Sequence, residues 1–195
     1  MTVPATYQPF VDDIHGMIGL CEADFDLFRK HRDFFEANGS ALIGAIASVL
    51  TEHGPSRLVF DEGRGNLQSL GQRLGVWLGD MIDGHDTPEL WHRQFIIGIE
   101  HIVRKIPNRQ MVGLATRIRE LLLPMMLDAF GQEEGLALYF AFQRLLDSVV
   151  ALTTTLVDEG QRRCLREATG FTPKLIDNLQ QIAFEKIRKE LATGA

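Results

Sequence analysis

One histidine stands out by its surroundings. Leu90, Gln94, Ile97 and His101 follow one another at steps of four, three and four. On a helix they share one face, and that face is mostly apolar. His101 lies six residues before Pro107. An imidazole in such a place is either a satisfied core residue or a ligand that offers a ring nitrogen to a metal. A metal ion held by protein alone needs several ligands, and no second histidine or carboxylate recurs at a matching interval. A haem is a different case, because the porphyrin supplies four nitrogens and the protein need supply only one axial ligand. Spacing alone leaves the core and ligand readings open. No Ser–His–Asp, Cys–His or paired-carboxylate arrangement stands out elsewhere, so hydrolytic or acid–base catalysis is not expected.

The elements that must position His101 are helices. Helical periodicity fills the intervals between prolines and glycines, and no alternating strand pattern emerges. The first helix is expected over Gln8 to Gly19. A second starts near Ala23, with Phe25, Phe28 and Phe35 on one side, and a third runs from Phe35 to Thr51, where Gly54-Pro55 closes it. Ser56 to Asn66 reads as an irregular connection. Leu67, Leu70, Leu74, Trp77 and Met81 form one stripe on a helix from Leu67 to Ile82. Asp86-Thr87-Pro88 is a capping residue followed by a first-turn proline, which starts the helix bearing His101; Pro107 ends it. Asn108 opens a long helix to Phe130, with a kink expected at Pro124 and a break at Gly131. Another runs from Glu133 to Ala168. Thr172-Pro173 starts the last, whose stripe is Ile176, Leu179, Ala183, Ile187 and Leu191. The fold class is all-α.

Gly71, Gly75 and Gly79 recur every four residues inside the Leu67–Ile82 helix. Each costs about 1 kcal/mol relative to alanine, and no turn explains them. They imply close approach by another backbone, and the preceding helix offers a small strip for it: Ser40, Gly44, Ala47 and Ser48.

The 195 residues carry a formal net charge of −6, with 45% hydrophobic and 24% charged residues. That is globular composition. An acidic chain without a basic block does not suit nucleic acid or an anionic membrane surface. Cys21 and Cys164 are too far apart in sequence to form a disulfide framework. Met1 to Phe10 lacks the pattern of a signal peptide, and the apolar runs Ala41 to Leu50 and Leu121 to Leu127 are too short to span a bilayer. A cytoplasmic protein with free thiols is expected.

The stretch from Leu78 to Pro124 resembles the globin domain of the globin-coupled sensors, the family that includes the protoglobins. The matching residues are the Met81–Gly84 turn, Ile97 to His101, and the segment from His101 to Met126. The family has a glycine three residues before its haem-ligating histidine, a proline six after it and a glycine six further on. Gly98, His101, Pro107 and Gly113 occupy these places. Weaker similarity extends from Phe25 to Glu159. The resemblance implies a globin fold with an extra N-terminal helix, haem b as cofactor and His101 as its proximal ligand. The lining it implies is His101, Leu70, Ala47, Ile97, Leu74, Trp77 and Met111. It also implies a homodimer formed through the helices 108–130 and 133–168. On this basis residues 1–160 are a globin-like sensor domain and 161–195 a C-terminal helical extension.

This chain departs from the family at the distal side. Many members place a tyrosine in the second globin helix, and here that position falls on or next to Ala47. The chain's two tyrosines are Tyr7 and Tyr139. The usual aromatic pair after the proline is replaced by Gln110 and Met111. Leu70 is the expected apolar distal neighbour, and Ser69, Gln72 or Ser48 are the nearest alternatives for a polar donor. The other histidines, His15, His31, His53, His85 and His92, are expected at the surface, with His53 a candidate second axial ligand. The expected function is a non-enzymatic gas sensor for oxygen, carbon monoxide or nitric oxide that signals through a helical dimer. The alternative is a haem-free globin-like signalling module. The two differ in whether His101 faces a cavity or a filled core. The 161–195 segment is open to three readings: a helix that contacts a partner, one packed back on the globin, or the start of a linker to a further domain.

Overall fold

The computed structural model describes residues 8–63 and 65–193. Tyr7 and the rest of the segment before Gln8 lie outside the described residues, as does the side chain of Leu67. Eight helices cover the described residues: α1 (Gln8–Ile18), α2 (Glu22–Lys30), α3 (Arg32–Glu52), α4 (Gly54–Asp61), α5 (Leu67–Ile82), α6 (Pro88–Val103), α7 (Asn108–Thr169) and α8 (Pro173–Thr193). Among these residues there is no strand. The chain divides into two compact units, one ending at Leu156 and the other starting at Val157.

Aromatic packing centres the first unit. Phe28 meets Phe25, Phe35 and Phe142 edge to face, with ring centroids 5.8, 6.2 and 6.1 Å away. All four rings are 2% exposed or less, so α2, α3 and α7 share one dry contact. Phe35 belongs to α3, because the helix expected to run on past Lys30 stops at His31. His31 is buried, not at the surface as its type suggested. Its ring lies 4.3 Å from that of Phe130, with Nε2 3.1 Å from Glu134. Nearby, the buried Asp24 carboxylate accepts from both Nε and Nη2 of Arg144 and from the Cys21 N–H. Asp24 raises the Arg144 pKa through that hydrogen bond.

α3 and α5 pack side by side, but not through the small strip of α3. Ser40, Gly44 and Ser48 are exposed. Instead Ile43 lies over the α5 glycines: Cβ atoms added at Gly71 and Gly75 would sit 3.7 and 3.5 Å from its side chain. A branched side chain seated on glycines achieves the close approach that small residues on both sides would have given.

The segment after Gly54 is the helix α4, not an irregular connection. Pro55 stands in its first turn, where a missing N–H removes nothing. The dipeptide that closes α3 therefore also opens α4. Thr87 caps α6 by accepting from the Leu90 N–H at 3.4 Å. α6 ends in a tight turn, with Lys105 at φ 55°, a left-handed conformation costing about 1–2 kcal/mol for a non-glycine residue.

α7 is a helical hairpin. Non-helical backbone occurs at Gly131 (φ 74°, ψ −175°) and not at Pro124. Two observations place the segments face to face. Arg119 donates to Asp147 at 2.5 Å, and a Cβ on Gly135 would lie 2.7 Å from the Met126 carbonyl oxygen. By length and composition, α3 and α7 are both long and apolar enough to cross a membrane; half of the apolar window in α7 is buried in the fold. The uninterrupted apolar runs understate them, since each helix continues past its polar interruptions.

In the second unit, Arg162 bonds Asp177 at 2.8 Å and pairs with Asp158 at 3.3 Å. Gly170 at φ 70° makes the turn before α8.

Candidate functional site

Residues of α3 to α7 surround a cavity of about 420 Å³. That volume lies in the range of cofactor pockets, roughly 300–1,000 Å³. Leu70, Leu74 and Trp77 reach it from α5, Ile97 and His101 from α6, and Met111 from α7. Ala47 does not line it. The α3 residue on the cavity is Leu50, almost one turn further on. Ser48, Ser69 and Gln72 do not line it either. Ser48 bonds Glu52, and Ser69 bonds the Asn66 carbonyl. His53 is exposed and its Nδ1 lies 2.9 Å from Ser56 Oγ.

His101 is set up as a one-sided ligand. Its Nδ1 lies 2.7 Å from the Ile97 carbonyl oxygen. A carbonyl only accepts, so Nδ1 carries the hydrogen and Nε2 is left with a bare lone pair. Metal-bound histidines characteristically donate their other N–H in this way. Burial pushes the His101 pKa below the ordinary histidine value, with Arg104 acting in the same direction and the Ile97 carbonyl opposing. The imidazole is therefore neutral at neutral pH, as ligation requires. Local sequence explains its orientation: Ile97 and His101 are one helical turn apart, and α6 stops two residues later, at Val103.

The walls fit a porphyrin. Leu114, Ala115 and Ile118 line the cavity from the first segment of α7, and Leu146, Val149 and Val150 from the second. Two cationic side chains, Arg73 and Arg104, also line it. Arg73 is exposed, and its Nη2 donates to the Asn66 carbonyl at 3.3 Å; Arg104 pairs with Glu100 at 3.1 Å. An apolar slot with one neutral imidazole and two guanidinium groups, one of them paired with the Glu100 carboxylate that also lines the cavity, fits a flat, greasy macrocycle that carries two carboxylates. The neighbouring Trp77 Nε1 donates to Gln94 Oε1 at 3.0 Å and joins α5 to α6, while Gln94 Nε2 is buried without a partner.

Sequence reasoning missed several members of this site. Ser56, Val59 and Phe60 were hidden because α4 reads as a loop. Arg73 follows Leu70 by three positions and precedes Leu74 by one, and that adjacency to the stripe was its only signal.

No curated protein matches the chain. The family model described as Protoglobin matches residues 9–159, more than half of the chain, and every residue that lines the cavity falls inside that span. Protoglobins are haem-binding proteins with a globin-like all-α fold. The chain belongs to the Protoglobin family.

Proposed function

We propose that this protein is a gas-sensing globin that holds haem b through His101 and reports a bound diatomic gas through a homodimer, without being an enzyme. The carrying observation is the His101 ring, with Nδ1–H fixed on the Ile97 carbonyl and the ring lining an apolar cavity. When bound, haem would supply an iron that His101 could hold and that could take up a diatomic gas. The chain's own residues do the rest. Ile97 orients the imidazole. Leu74, Leu114, Ile118 and Val149 exclude water from the cavity. Arg73 and Arg104 would pair with the propionates.

The open cavity counts against the haem-free alternative, which would fill this space with side chains. With no tyrosine in α3, the pocket lacks a phenolic donor, so it favours carbon monoxide or nitric oxide over oxygen. The two segments of α7 form the dimer interface in this reading, and the exposure of Val112 and Phe140 (48% each) supports it. The formal net charge of −6, without a basic block, suits a cytoplasmic protein that binds neither nucleic acid nor membrane.

The test is the absorption spectrum of protein expressed with added haem, beside that of His101→Ala. A Soret band in the parent that is lost or greatly altered in the variant supports the proposal. No band in the folded parent protein overturns it. Oxygen binding tighter than carbon monoxide binding in the ferrous protein would overturn the gas preference alone.

A further inference from the structure

The wall contributed by α3, α4 and α5 is apolar at Leu50, Val59, Phe60, Leu70 and Leu74, and its polar members are Ser56, Arg73 and Trp77. The Trp77 N–H is committed to Gln94. The Arg73 side chain is exposed and its guanidinium is held on the Asn66 carbonyl. Ser56 is different: it is 5% exposed and lines the cavity. Its hydroxyl has one side-chain contact among the described residues, His53 Nδ1 at 2.9 Å. A hydroxyl carries one donor and two acceptor sites, so a single contact leaves capacity unused in a buried place.

Resting on the haem reading above, we propose that Ser56 is the residue that hydrogen-bonds a diatomic ligand in the cavity, with His53 deciding how its hydroxyl points. When His53 carries hydrogen on Nδ1, Ser56 accepts from it and its own proton is free for the ligand. When the hydrogen is on Nε2 instead, Ser56 donates to Nδ1 and turns lone pairs towards the cavity. The short first turn of α4 makes the coupling possible, because His53 precedes that turn and Ser56 lies within it. The polar function that many relatives place on a tyrosine of the second globin helix thus moves to a serine one helix further on.

The test is the C–O stretching frequency of the ferrous protein saturated with carbon monoxide, for the parent chain, Ser56→Ala, Ser56→Thr and, as a control outside the cavity, Ser48→Ala. Loss of a donor raises this frequency. Ser56→Ala should shift it upward, Ser56→Thr should restore it, and Ser48→Ala should leave it in place. Oxygen should leave Ser56→Ala roughly two- to tenfold faster, the range for one neutral hydrogen bond. In haem-free protein, the imidazole nitrogen resonances of His53 should change in Ser56→Ala; unchanged resonances would overturn the coupling. A frequency that moves as far in Ser48→Ala as in Ser56→Ala overturns the proposal. A haem-loaded Ser56→Ala with an unchanged frequency overturns the role of Ser56 while leaving the haem reading intact. Failure of the parent chain to take up haem overturns both.

Discussion

The aromatic cluster around Phe28 and the cavity around His101 are built by the same fold and packed in opposite ways. Phe25, Phe28, Phe35 and Phe142 lie against one another with 2% exposure or less. Leu70, Leu74, Trp77, Ile97 and Met111 are only partly buried, and they face 420 Å³ of space. Protein interiors are close-packed, and this chain achieves it where α2, α3 and α7 meet. The open space lies instead where the neutral imidazole of His101 shares a lining with Arg73, Glu100 and Arg104. A filled core needs only its own side chains, whereas a site leaves room for something else.

Three changes would sharpen or break this contrast. The largest effect is expected at Phe28→Ala, which removes a ring wedged among three others and should cost about 3–5 kcal/mol in chemical denaturation. A loss near that of an exposed residue would show the cluster to be less tightly packed than described. Leu74→Trp fills the cavity, and should change the stability of the haem-free protein by less than about 1 kcal/mol while abolishing haem uptake in a titration. Retained uptake would place the haem elsewhere.

The smallest effect involves Glu22, at the polar rim of the packed side. Against an opposing contribution from partial burial, the Asp86 N–H, His85 and Arg29 lower its carboxyl from 4.5 to about 2. The folded protein keeps this group ionised where the unfolded chain takes up a proton. Its stabilisation is complete above pH 4.5 and lost as the pH falls towards 2. The carboxylate is half exposed, so the amount is a few tenths of a kcal/mol to about 1 kcal/mol. Melting temperatures of the parent and Glu22→Gln should differ at neutral pH and converge in acid, and a gap constant with pH would contradict this.

Local signals made much of the architecture legible. The five-residue apolar stripe marked α5, with both ends at the observed residues, and Thr87-Pro88 marked the start of α6. His101 emerged from its helical face, and Gly131 from its incompatibility with a long helix. What stayed hidden depends on distant partners or on a signal with two meanings. His31 is buried because Phe130 and Glu134, about a hundred residues away, close over it. Gly54-Pro55 ends one helix and begins the next. Ala47 and Leu50 are both half-buried on α3, and only the tertiary crossing decides that Leu50 faces the cavity.

The hairpin in α7 has a consequence for heredity. Both of its segments supply residues to the cavity lining, yet their spacing is set at Gly131 and Gly135, neither of which lines the cavity. At Gly131 the backbone occupies a region essentially reserved for glycine. At Gly135 any side chain meets the Met126 carbonyl. Both positions can change by one nucleotide, and neither has an acceptable replacement. A colony screen for variants that lose the cofactor's colour should therefore return these two glycines alongside His101, with compensating second mutations concentrated around Met126 and Leu127.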